Sequence, residues 1–199
     1  MQVPRPRIAA MNNKITERID RVTLLTDAYR SPTPPVPRSV KIELTARCDF
    51  QCFFCASHMR LREKRDISWS FFTRVAREMR DAGVEELGLF YLGESFLVPW
   101  LPEAVRYAKY ECGYPYVFLT TNGRMAERDR ADACMEAGLD SLKFSYNFAD
   151  AYQFHEVTGV RPRAFRQITG NLRAARGAPD VVEAPTGHRR GPDASSIPH

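Results

Sequence analysis

The chain has no run of about 18 apolar residues, which argues against a membrane-spanning helix. Its amino terminus, Met1 to Ala10, mixes prolines and arginines and lacks an apolar h-region, so it does not read as a secretory signal. An even, spread-out set of cysteines is missing too. There are five, an odd number, and three of them crowd into one stretch, a pattern that suits metal binding in a reducing compartment better than a disulfide framework. Those absences make the cytoplasm the expected location, with no membrane partner. The net charge of +5 gathers no nucleic-acid signature. Arg60, Arg62, Lys64 and Arg65 form a basic run, but Glu63 and Asp66 dilute it and no recognition pattern accompanies it, so it reads as a solvated face.

What is present is the stretch Cys48-Asp49-Phe50-Gln51-Cys52-Phe53-Phe54-Cys55. It follows Ser39 to Thr45, which alternates apolar and polar residues as a strand does, so the thiols are placed on a loop leaving a strand. In an α/β fold ligands gather at the carboxyl ends of strands. Thiolates are soft ligands and suit either zinc or an iron–sulfur cluster. With His58 three positions on, Cys48, Cys52, Cys55 and His58 would make a closed Cys₃His zinc site. Three cysteines on a cluster would instead leave one iron open to a substrate or cofactor. Spacing alone leaves both readings standing.

The rest of the chain divides into three parts. Residues 1–38 hold an amphipathic helix over Asn12 to Arg30, with Ile15, Ile19, Val22, Leu25 and Tyr29 on one stripe, and then the proline-rich linker Ser31 to Pro37. Residues 39–176 repeat one grammar of helix, glycine stop and short apolar strand. Ser68 caps a helix that ends near Gly83 before Leu87 to Tyr91, and Pro102 opens one that ends at Gly113 before Val117 to Thr120. A third, from about Ala126 to Ala137, stops at Gly138 before Leu142 to Ser145. Asp150 to Gly159 and Ala164 to Arg176 read as further helices, with Phe165, Ile168 and Leu172 on one face. Alternating strands and helices predict an α/β fold with a parallel sheet and right-handed crossovers. Residues 177–199, rich in proline and glycine, are expected to be disordered. Cys112 and Cys134 fall in helices and read as packed thiols.

The Cys-x₃-Cys-x₂-Cys stretch, with Phe54 just before the last cysteine, resembles the signature of the radical S-adenosylmethionine superfamily. Three later strand ends carry matching elements. Leu92-Gly93-Glu94-Ser95 is similar to that family's Gly-Gly-Glu-Pro motif, with Leu and Ser replacing its first Gly and its Pro. Thr120-Thr121-Asn122-Gly123 stands at the third strand end and Ser145-Tyr146-Asn147 at the fourth. The resemblance favours a cluster over zinc. It implies a 4Fe-4S cluster on Cys48, Cys52 and Cys55, and S-adenosylmethionine held by Gly93 and Glu94 at its methionine end, by Ser145 and Asn147 at the ribose, and by Phe54 beside the adenine. It implies an enzyme, oxygen-sensitive, that cleaves S-adenosylmethionine reductively to a 5′-deoxyadenosyl radical for hydrogen abstraction, with a small flavodoxin- or ferredoxin-type electron donor. His58, Arg60, Tyr91 and Tyr146 are candidates to face the cavity, without assigned roles. The family core is a partial barrel of six βα units, of which about four are legible here. A fourth strand with an unpaired apolar edge predicts a truncated chain that needs a complementing chain or a second copy.

Overall fold

The computed structural model describes residues 27–59, 63–175 and 181–182. The helix expected over Asn12 to Arg30 lies outside the described residues except for its last turn, Asp27–Arg30, which is 3₁₀. Five parallel strands follow: β1 (Ser39–Lys41), β2 (Glu86–Gly88), β3 (Tyr116–Thr121), β4 (Ser141–Phe144) and β5 (Val181–Val182). They pair in chain order, β1-β2-β3-β4-β5. Sequential order with right-handed crossovers keeps every connecting helix on one face, the arrangement of a partial (β/α) barrel rather than of a sheet covered on both sides.

The helices form where local chemistry starts and stops them. The Ser68 hydroxyl accepts from Phe71 N at the head of α1 (Trp69–Asp81), and Gly83, at φ +106°, turns the chain after its end. Pro102 sits in the first turn of α2 (Leu101–Arg106), which continues as a π turn over Tyr107–Glu111. Shorter than its expectation, α3 is Arg128–Glu136, with Glu127 as its uncapped N-terminal neighbour. Asp150 accepts from Tyr152 N and Gln153 N to open α4 (Ala151–Thr158), and left-handed Gly159 closes it. Helix α5 is Arg163–Ala175.

Leu87, Leu89, Val117, Leu119, Leu142 and Phe144 bring the sheet's apolar face against Phe72, Ala76, Ala104, Val105 and Ala131 of the helices. Cys134 and Cys112 are buried in that core, as packed thiols. A second, smaller core gathers Phe50, Phe148, Phe154, Ala164 and Ile168, with Cys48 and Cys52 packed against it. The Phe50 ring meets Phe154 edge-on at 5.7 Å, so the cysteine loop is anchored on α4 by an aromatic contact.

Two expectations need correction. The strand read over Ser39 to Thr45 ends at Lys41. Beyond Ile42, whose N–H still reaches Gly88 O, the chain leaves the sheet and pairs antiparallel with 65–67 through Ile67 N to Leu44 O and Ala46 N to Arg65 O. Alternation reports which residues share a face, not which neighbour supplies the hydrogen bonds. The second correction concerns the segment expected to be disordered, 177–199. Val181–Val182 forms a short strand in register with Leu142 and Lys143, so the outer edge of β4 is partly paired. Two valines suffice because each pairing residue supplies ladder groups to an edge that would otherwise lack them. The other residues of that segment lie outside the described ones.

Candidate functional site

The carboxyl ends of β1 to β4 open on one cavity of about 230 Å³. Cys48, Cys52, Cys55, Phe54, Gly93, Glu94, Ser145 and Asn147, the residues singled out from sequence, all line it, together with Tyr91, Thr121 and Asn122. Tyr146 turns away: its ring lies 4.4 Å from that of Phe148 and its hydroxyl pairs with Thr169 at 3.0 Å. Arg60 and the side chain of His58 lie outside the described residues.

The cysteine loop owes its shape to α4. Gln51 N donates to Thr158 O at 2.9 Å and Phe53 N to Val157 O at 3.1 Å, using carbonyls that a helix end leaves without partners. Cys55 N closes a turn onto Cys52 O at 2.9 Å. All three thiols are free and half-buried. Burial pushes the Cys48 thiol up to about 11, and burial with the neighbouring Cys55 raises Cys52 as well. A metal must therefore displace protons here, which ties its uptake to pH. Phe53 and Phe54 stand edge to face at 5.4 Å and are 72% and 57% exposed, at the cavity rim. Among the described residues, no three His, Cys, Asp or Glu side chains gather around a point where a single metal ion would sit.

The loop after β2 is pressed against the loop after β1. Glu94 N donates to Arg47 O at 2.8 Å, while Leu92 N and Gly93 N both donate to Glu43 Oε1 at 3.0 Å. A Cβ on Gly93 would lie 1.8 Å from Thr45 O, so only glycine allows this approach, although its φ is ordinary. Ser95, standing where the motif resemblance has proline, donates its buried hydroxyl to Leu89 O at 2.6 Å and folds the turn back onto β2.

Glu94 is 2% exposed. Its Oε1 accepts from Phe96 N at 3.0 Å and Thr121 Oγ1 at 2.8 Å, and its Oε2 from Asn122 N at 2.7 Å. Burial drives its carboxyl up to about 7 despite those three donors, which pull the other way. A carboxylate has about four acceptor positions, so one remains for a cation entering the cavity. Asn122 extends the network: its amide donates to Asp49 Oδ1 at 2.7 Å, and Arg124 Nη1 stands 3.5 Å from Asp49 Oδ2. Ser145 N donates to Thr121 O at 2.8 Å and sets the β4 end beside it.

Sequence reasoning missed Glu43 and Asp49, and it marked Thr120-Thr121-Asn122-Gly123 as a matching strand-end element without giving Thr121 or Asn122 a role. Their side chains bind Glu94 and Asp49.

The donor set, three soft thiols on one short loop beside a buried carboxyl, is of the kind that suits an iron–sulfur group. Three soft donors share the cavity with Gly93 and the buried Glu94 carboxyl.

Residues 42–188 match the family model described as Radical SAM superfamily. The chain is 31% identical over 133 residues to a GTP 3′,8-cyclase of Chlorobaculum tepidum, covering 67% of this chain and 39% of that protein. It is 30% identical over 152 residues to a PqqA peptide cyclase of Streptomyces rochei, covering 76% of this chain and 41% of that protein. The chain thus spans about two fifths of the length of these curated relatives. Among solved structures, Streptococcus suis SuiB bound to S-adenosylmethionine superposes with a TM-score of 0.58 at 19% identity, over 75% of this chain and 34% of that one. BtrN in complex with AdoMet and 2-DOIA gives 0.54 at 16% identity, over 73% and 55%.

Proposed function

Because this chain belongs to the radical SAM superfamily, we propose that Cys48, Cys52 and Cys55 hold a 4Fe-4S cluster and that the cavity beside them binds S-adenosylmethionine. The observation that carries the reading is the convergence of the three thiols, Gly93, Glu94, Asn122, Ser145 and Asn147 on one cavity from four separate strand ends. A cluster held there, with S-adenosylmethionine bound, would supply one-electron cleavage of the sulfonium to methionine and a 5′-deoxyadenosyl group competent for hydrogen abstraction; that chemistry would be the cofactor's own.

The chain's share is binding, orientation and shielding. The remaining acceptor position on Glu94 takes the methionine ammonium, and Gly93 lines the cavity beside it. Ser145 and Asn147 offer hydrogen bonds to ribose hydroxyls. Phe54 gives the adenine an aromatic surface, and Phe50 and Phe148 keep water from the floor of the cavity. A small flavodoxin- or ferredoxin-type donor would supply the electron. The relatives' names pair the same core with GTP in one case and a peptide in the other. This core therefore accounts for activation, and substrate choice lies beyond it.

Anaerobic reconstitution followed by iron and sulfide analysis tests the reading. The protein should turn brown, bleach on reduction with dithionite, and release 5′-deoxyadenosine from S-adenosylmethionine. Cys52→Ala should lose both colour and product, whereas Cys134→Ala, buried in the main core, should keep them. Colourless protein carrying one zinc, or identical behaviour of the two variants, would overturn it.

A further inference from the structure

The amide of Asn122 is placed with no freedom to turn. Its Oδ1 accepts from Arg124 N at 2.9 Å, and its Nδ2 donates to Asp49 Oδ1 at 2.7 Å. Exchanging O and N would set a carbonyl against a carboxylate and an NH₂ against an N–H, so both partners fix the same orientation. The backbone holds it as well, through Asn122 N to Glu94 Oε2 at 2.7 Å. One amide hydrogen serves Asp49. The other faces Cys48 Sγ, with nitrogen and sulfur 3.9 Å apart. Among the described residues, no other side-chain N–H donates to the three clustered thiols.

We propose that Asn122 is a positioning residue that raises the reduction potential of the cluster held by Cys48, by directing its second amide N–H at that ligand's sulfur. The inference rests on the cluster reading of the three thiols. A reduced cluster carries one more negative charge, spread over its sulfurs. An N–H aimed at a ligand sulfur favours that state over the oxidised one, and hydrogen bonds to sulfur are among the protein's levers on potential. Asp49 makes the donor effective by holding the amide in place. The consequence is that uptake of one electron from an external low-potential donor becomes easier.

The test is an EPR-monitored redox titration of reconstituted wild type and Asn122→Ser, with dithionite as reductant. A serine hydroxyl can still accept from Arg124 N and keep the turn, but it is too short to reach Cys48. At equal iron and sulfide content, the serine variant should be reduced about tenfold less favourably, a fall of about 59 mV for a one-electron couple. A purely structural role would lower cluster content and leave the potential of the loaded fraction unchanged; that result overturns the proposal. If the serine variant takes up no cluster, wild-type protein labelled with ¹⁵N-asparagine decides instead. Pulsed EPR of its reduced cluster should show an asparagine nitrogen coupling that persists in Asn147→Ser, and absence of that coupling overturns the proposal. Wild type that binds neither iron nor sulfide would instead remove the parent reading, a distinct outcome.

Discussion

Replacing Gly93 with alanine should unlatch the loop after β2 from the loop after β1. The added Cβ would start 1.8 Å from Thr45 O, 2.8 Å from Thr45 C and 3.0 Å from Arg47 O, all backbone atoms that cannot swing aside. Restoring even a 3.0 Å contact demands a displacement of at least 1.2 Å between the two loops. Three hydrogen bonds cross that seam: Glu94 N to Arg47 O, and Leu92 N and Gly93 N to Glu43. Each contributes about 1 kcal/mol net, so their loss destabilises by about 3 kcal/mol, and by more where a donor is left buried without a partner. Gly83 supplies the contrast. It has φ +106° but nothing within 4 Å of an added Cβ, so Gly83→Ala meets only the left-handed backbone penalty of about 1–2 kcal/mol. Urea unfolding of cofactor-free protein under anaerobic reducing conditions gives both values from midpoints at constant slope. Gly93→Ala should be the worse of the two by about 1 kcal/mol or more. If the two variants unfold together, or Gly83→Ala unfolds first, the close-approach argument is refuted.

Burial raises the Glu94 carboxyl from 4.5 to about 7, so the folded cofactor-free protein holds a proton that the unfolded chain has released across that window. Stability should therefore fall as pH rises from about 4.5 to about 7 and level off above, by on the order of 3 kcal/mol. Glu94→Gln should flatten that slope in denaturation midpoints measured across the window; an unchanged slope would refute the assignment. Asp150→Ala removes the cap that accepts from Tyr152 N and Gln153 N, and should cost about 1 kcal/mol by the same assay. Because α4 shapes the cysteine loop, Asp150→Ala should also retain less iron after gel filtration, and full retention would count against that coupling.

How much of this was legible in the sequence depended on how far apart the contributing residues lie. Ser68, Gly83, Asp150 and Gly159 act within a few positions of themselves, and the helices begin and end where those residues imply. Val117 to Thr120 was recognisable as a strand because a short, mainly apolar run follows a helix and its glycine stop; one face of it is buried and the other half-buried. The strand read through Thr45 overran, since residues 43–46 alternate equally well while pairing with 65–67 outside the sheet. At the site, the three thiols were conspicuous because one short loop carries them. The network behind them was not. Thr121 meets Glu94 across 27 positions and Asn122 meets Cys48 across 74, and no periodicity links residues so distant. Folding alone brings such groups together, which is why Thr120-Thr121-Asn122-Gly123 was marked as a strand-end element while its partners stayed hidden.

The dependence of the cysteine loop on Thr158 and Val157 has a consequence for biosynthesis. Gln51 is translated roughly a hundred residues ahead of Thr158, an interval of roughly 5–20 s at ribosomal speeds. Throughout that interval the emerging sulfurs have no scaffold to arrange them. The three thiols therefore reach their final arrangement only after helix α4 has been synthesised and docked, so a metal group that needs that arrangement would be taken up by the folded loop rather than by the nascent one.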